Sequence, residues 1–182
     1  MKQGQIVKIF KSKKGNNVVI RYPKSSDLDD MLKFVNDLVT EDTFLAIIKK
    51  ITKKEEIKFL KKTLQKIKNR RKIFLVATVN GKYAGNCEIR RRERRQLHVG
   101  EIGIAIAKAY REEGIGTELI KSLIDEGKKL GLRLLVLGCF ANNPRAIHVY
   151  ESLGFKRAGL IPGVFNYKGE FIGENQFYLP LK

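Results

Sequence analysis

The apolar run Ile102-Gly-Ile-Ala-Ile-Ala107 leads within a few residues into Arg111-Glu-Glu-Gly-Ile-Gly-Thr117. Leu119, Ile120, Leu123, Ile124 and Leu130 then follow at helical spacing. A strand therefore runs into a glycine-rich turn that opens a helix, which commits this part of the chain to α/β packing. The first turn of a helix has backbone N–H groups without intrahelical partners and carries the positive end of the dipole. Glycines there let a phosphate approach the backbone, so the segment reads as a pyrophosphate cradle. Two familiar cradles fail on spacing. A P-loop requires a lysine after its last glycine, and Thr117 follows Gly116. A dinucleotide fingerprint requires a glycine at position 119, which is Leu119.

A second segment, Asn143-Pro-Arg-Ala-Ile-His-Val-Tyr150-Glu-Ser-Leu-Gly-Phe155, carries its own signals. Asn143 is a good N-cap and Pro144 suits the first helical position. Ala146, Val149, Tyr150 and Leu153 share one helical face, Gly154 ends the helix, and Phe155 begins a strand. Together, R-x-x-G-x-G and N-x-x-A-x-x-x-Y-x-x-x-G-F resemble the GNAT acetyltransferase superfamily in order and separation. The resemblance is close from Val99 to Phe155 and holds in outline beyond.

Periodicity supplies the remaining elements. Strands are expected over Gln5 to Lys11 and Asn17 to Tyr22, around a Lys-Lys-Gly-Asn turn. Ser26 is the expected cap of a helix through Leu28, Met31, Leu32, Val35 and Leu38. Thr52 and Glu55 form a capping-box pattern for a helix whose apolar face is Ile57, Leu60, Leu64 and Ile67. Ile73 to Val79 and Tyr83 to Arg90 flank Asn80-Gly81, a hairpin signal. Val99 to Ile106 and Leu132 to Cys139 are further strands, and two last strands surround Tyr167-Lys-Gly-Glu170. The expected fold is a single α/β domain over residues 1–182, a mixed sheet flanked by helices. Its order is β-α-α-β-β-β-α-β-α-β-β with an extra N-terminal strand in residues 1–15, and this is the order of the GNAT fold.

A chain of 182 residues can bury a substantial core as one domain. No apolar stretch approaches the ~18 residues of a membrane span, and the N-terminus shows no hydrophobic signal region. Cys87 and Cys139 alone make neither a disulfide framework nor a four-ligand zinc site, so no metal is expected. A cytoplasmic location is the default expectation.

The resemblance implies acetyl transfer from acetyl-CoA to a primary amine by direct attack in a ternary complex. Tyr150 matches the family tyrosine near the CoA sulfur. A phenol at pKa ~10 can donate to a developing thiolate whose thiol lies near ~8.5. Asn143 contacts the coenzyme in the family as well as capping its helix. In relatives the strand before the cradle bulges and splays from its neighbour, freeing backbone at Ile104, Ala105 and Ile106 for the pantetheine amides. Arg111, Gly114, Ile115, Gly116 and Thr117 would complete the pyrophosphate site, with Arg111 adding charge. Glu101 stands where several members carry a water-mediated general base, and Glu174 is a second acidic candidate. A base is needed less for an α-amine, pKa ~7.7–8.0, than for a lysine at ~10.4. Cys139 reads as a small hydrophobe and His148 as a surface residue.

Charge is not explained by the resemblance. The formal net charge is +18, from 37 basic and 19 acidic residues, concentrated in Lys49 to Lys72 and in Arg90-Arg-Arg-Glu-Arg-Arg95. A lysine-rich surface of thermophile type accounts for this, as does attraction to RNA, ribosomes or an acidic partner. The Lys49–Lys72 helix also fits a membrane-surface helix, although its single apolar stripe is more simply the face packed on the sheet. The C-terminal hairpin is similar to members that modify protein N-termini or small amino-acid-like amines. A homodimer is a family-level expectation. The alternative function is a non-catalytic CoA-binding module that uses its basic surface for RNA or ribosome association.

Overall fold

Two antiparallel strands, β1 (Ile6–Lys11) and β2 (Asn17–Arg21), open the chain around a turn in which Gly15 takes φ +79°. Two helices follow, α1 (Leu28–Glu41) and α2 (Lys53–Lys68). Then come β3 (Lys72–Val79), β4 (Lys82–Arg91), β5 (Val99–Ile106), α3 (Ile115–Lys129), β6 (Leu134–Phe140), α4 (Pro144–Ser152), β7 (Lys156–Tyr167) and β8 (Glu170–Pro180). The computed structural model describes residues 2–42, 44–45 and 47–182. The expected order is borne out, extra N-terminal strand included, as is the Asn80-Gly81 hairpin, whose residues take φ 47° and 82°.

All eight strands lie in one sheet, ordered β1-β2-β3-β4-β5-β6-β8-β7. Neighbours are antiparallel except β5 and β6. Helix α3 covers one face, burying Leu119, Ile120 and Leu123 completely in a core that includes Ile20, Leu75 and Ile89. Each such side chain contributes roughly 1.5–3 kcal/mol. Helices α1 and α2 cover the other face, against β4 and β3.

Three local expectations are corrected. Ser26 caps nothing: Ser25–Asp27 form a single 3-10 turn, and the Asp27 carboxylate accepts from the Lys24 N–H at 2.7 Å while pairing with Arg21. The expected Leu132 strand begins only at Leu134, because Leu132 closes the turn after α3 through its N–H to Gly127 O. On α2 the buried positions are Glu56, Leu60, Thr63 and Ile67, whereas Ile57 is 48% exposed. The helix is thus rotated by about one residue from its apolar stripe. The rotation places Thr63 against Lys72 and Phe59 beneath its ammonium, which lies 4.8 Å from the ring centroid and pairs with Glu88 at 2.5 Å. The Thr52–Glu55 capping box forms as expected. No helix among the described residues is long and apolar enough to cross a membrane.

Candidate active site

Strands β5 and β6 pair only at Val99–Leu134, Gly100–Leu135 and Glu101–Val136. Beyond that point β6 keeps its register with β8 as far as Phe140–Glu174, while β5 stays with β4 as far as Ile106–Gly85. Each strand follows its antiparallel partner, and a gap opens between them. The splay expected from the family resemblance is therefore present. The expected bulge is not, since β5 shows no shift of register against β4. A cleft of about 1210 Å³ occupies the gap.

Strand alternation assigns side chains to the two mouths of this cleft. Ile104 and Ile106 face α3: a Cβ on Gly116 would lie 3.9 Å from Ile104 Cδ1 and 3.7 Å from Ile106 Cγ1. Ala105 and Glu101 point the other way, toward the α1 and α2 side. Gly103 shares that face, where a Cβ would meet Glu88 at 3.5 Å.

At the α3 mouth stands the first turn of α3. Gly114 is the N-cap with φ 82°, a left-handed conformation that explains a glycine here. The first helical bond runs from Glu118 N–H to Gly114 O, so the amides of Ile115, Gly116 and Thr117 precede it. With no side chain at 114 or 116, these donors suit a phosphate group.

Arg111 is engaged within the protein. Its guanidinium pairs bidentately with Glu41 at the end of α1, with Nη2 2.8 Å from Oε2, and its Nε donates to Ile106 O at 3.0 Å. It ties α1 to the end of β5, and its charge is already matched.

Tyr150 and Asn143 lie on α4. The Asn143 side chain accepts from Ala146 N–H at 3.1 Å, as a cap should. Tyr150 is 7% exposed and packs edge-on against Phe155 and tilted against Phe177, which pairs with Leu137. These contacts put α4 on the α3 side of the sheet. Tyr150 lines the cleft, and its hydroxyl makes no hydrogen bond among the described residues. Burial, aided by nearby Cys139, pushes its phenol above the ordinary range. It therefore stays protonated and can act as a donor. Burial and then Glu174 push the Cys139 thiol up to about 11, which leaves it an unreactive apolar group. His148 is exposed at the rim.

The other mouth was largely invisible in the sequence. Glu101 is held by Arg90 Nη2 at 2.8 Å, with Arg92 at 3.9 Å. Glu174 comes in from β8, half-buried. Around them Phe140 stacks on Phe165 at 3.8 Å, with Phe44 at 5.4 Å and Tyr167 at 6.0 Å from Phe140. These aromatics come from β6, β7 and the segment after α1. The sequence reading reached this region only at Glu101 and Glu174, and it passed over Gly138, whose place inside a strand marks a close approach.

The comparisons with known proteins agree with this architecture. The model of the Acetyltransferase (GNAT) family matches residues 35–155. The [ribosomal protein bS18]-alanine N-acetyltransferase of Escherichia coli K12 is 46% identical over 55 residues, 30% of this chain and 37% of that protein. An uncharacterized N-acetyltransferase of Methanocaldococcus jannaschii is 35% identical over 98 residues, 50% of this chain and 42% of that protein. The chain thus spans less than half the length of these curated relatives. The crystal structure of an N-acetyltransferase from Staphylococcus aureus Mu50 superposes with a TM-score of 0.83 at 27% identity, covering 91% of this chain and 99% of that one. With a family match across most of its length and a parted β5–β6 pair opening onto the glycine-started helix, the chain belongs to the GNAT acetyltransferase family.

Proposed function

We propose that the chain is an acetyl-CoA-dependent N-acetyltransferase acting on a primary amine by direct attack in a ternary complex. The observation that carries this is the convergence, at one gap in the sheet, of free helix-start amides, strand edge and a buried phenol. The thioester supplies an activated acyl carbon. The amides of Ile115, Gly116 and Thr117 would hold the pyrophosphate, and the unpaired edge of Ile104, Ala105 and Ile106 the pantetheine amides. Asn143 borders the same channel. Arg111 contributes by fixing the end of β5 rather than by its own charge.

The reaction forms one N–C bond and breaks one C–S bond. The amine loses a proton and the departing thiolate gains one. Tyr150 is the hydrogen-bond donor to the sulfur, and burial, which raises its pKa, keeps it protonated for that role. Glu101, across the gap, is the candidate to draw the proton from the amine through water. A protein N-terminus or a small amino-acid-like amine is the proposed acceptor class, as for the Escherichia coli relative that acts on an alanine of a ribosomal protein.

Tyr150→Phe tests the proposal. The variant should lose about 100-fold in kcat while its Kd for acetyl-CoA, by titration calorimetry at about 300 mM salt, stays within twofold of wild type. ATP serves as the matched anion. Unchanged turnover would remove Tyr150 from the chemistry, and equal weak binding of both anions would remove the cradle.

One observation favours a second role for the surface. Arg91 N–H donates to Arg71 O at 3.1 Å, so the end of the lysine-rich helix and the arginine loop meet at one corner. Arg70, Arg71, Arg94 and Arg95 are exposed there. RNA binding through this corner is the alternative function, and it predicts affinity that falls steeply with salt.

A further inference from the structure

Two carboxylates border the α1/α2 mouth of the gap, and the protein treats them differently. Glu101 on β5 is already met by Arg90 and, at longer range, Arg92. Glu174 on β8 has no basic partner within 4.0 Å among the described residues; its carboxylate accepts from the Gln176 amide. This half-buried carboxylate, without a basic partner among the described residues, stands in a protein of net charge +18.

Its position is built by a missing side chain. Gly138 lies on β6, between β8 and the gap, on the same face as Phe140. A Cβ at Gly138 would stand 2.5 Å from Glu174 Cδ and closer still to Oε1. The carboxylate therefore lies across β6 in the space a side chain would fill, directed toward the gap. Phe140, stacked on Phe165, forms a wall beside it, and Phe44 extends that wall. An anion beside aromatic faces suits a primary ammonium carrying an apolar group, because ring faces also attract cations.

We propose that Glu174 receives the ammonium of the acceptor amine, and that Gly138 positions it by leaving the space over β6 empty. The inference rests on the acetyltransferase proposal and deepens it: the subsite selects cationic amines whose adjoining group is apolar. Glu174 touches substrate, and Gly138 acts through Glu174.

The test uses the full chain with a mixture of tripeptides bearing free N-termini and apolar first residues. Thiol release from acetyl-CoA is read against amine concentration. Glu174→Gln should raise the amine KM about 10-fold or more, the loss of one charge-assisted bond, with acetyl-CoA Kd within twofold. Gly138→Ala keeps the carboxylate but displaces it, and should raise the amine KM similarly. The double variant should be no worse than either single one, since both remove the same contact. An amine KM within twofold of wild type for Glu174→Gln overturns the inference, as do additive effects in the double variant. Wild type that binds acetyl-CoA but releases no thiol with the mixture also overturns it while leaving the cradle intact. Failure to bind acetyl-CoA would instead remove the proposal beneath it. Retained acetyl-CoA binding in each variant reports that the domain has folded.

Discussion

Arg111→Ala separates a motif arginine that holds the fold from one that holds a phosphate. The side chain makes a bidentate pair with Glu41 and a bond from Nε to Ile106 O at 3.0 Å. Both partners are 22% exposed, so the pair is screened less than a surface bridge but is not dry. Hydrogen bonds to charged groups contribute about 1.5–3 kcal/mol, and exposure reduces this. Removing Arg111 also strands a half-buried carboxylate. A total of about 2–3 kcal/mol is expected, and at about 2–4 °C per kcal/mol for a chain of this size, Tm should fall by about 4–12 °C. Glu41→Gln should reproduce most of that fall, although it lies 70 residues away and outside the glycine motif. Differential scanning calorimetry gives Tm, and titration calorimetry should find acetyl-CoA affinity reduced by less than about threefold below the melting range. A tenfold loss of affinity with Tm unchanged would refute the reasoning and return Arg111 to the pyrophosphate.

Other outcomes follow from single residues. Gly114→Ala introduces a Cβ that meets only Lys13 carbons at 3.8 Å, so the cost is the left-handed backbone at φ 82°, about 1–2 kcal/mol, read as a Tm loss of about 2–8 °C. Glu126 on α3 accepts a hydrogen bond from the Tyr22 hydroxyl at 2.6 Å and pairs with Lys129 of the same helix at 2.7 Å. Burial alone would raise its carboxyl, but the Lys129 and Tyr22 hydrogen bonds outweigh burial and hold it below the usual range. The folded carboxylate therefore keeps its charge to lower pH than the unfolded one. Its stabilisation is present above the unfolded value of about 4.3 and is lost as pH falls through the folded value. Acid unfolding of Glu126→Gln should accordingly show a shallower decline of stability below about pH 4.3, and an unchanged slope would discard the linkage.

Much of the fold was legible because it is written in short-range signals. The Asn80-Gly81 turn, the Thr52–Glu55 box, the Asn143 cap and the positive φ at Gly114 each depend on a few neighbouring residues and on the chirality of the backbone. The glycine-started helix was legible for the same reason, since its free donors are the amides of one helix start. Local periodicity was weaker where two stripes compete. On α2 the chain offers an apolar set including Ile57, but contact with Lys72 and the sheet buries Glu56, and that burial raises its carboxyl above the ordinary range.

The sequence by itself determined the element order, the glycine-started helix and the placement of Tyr150 on an amphipathic face, all set by spacing within about fifteen residues. Tertiary structure alone decided what each of those groups meets. Strand β6 follows β8 and leaves β5, which opens the gap. Glu41 reaches Arg111 and neutralises it, and Glu174 crosses β6 over Gly138. Charge compensation and empty space are properties of residues far apart in the chain, and they exist only once the sheet has brought those residues together.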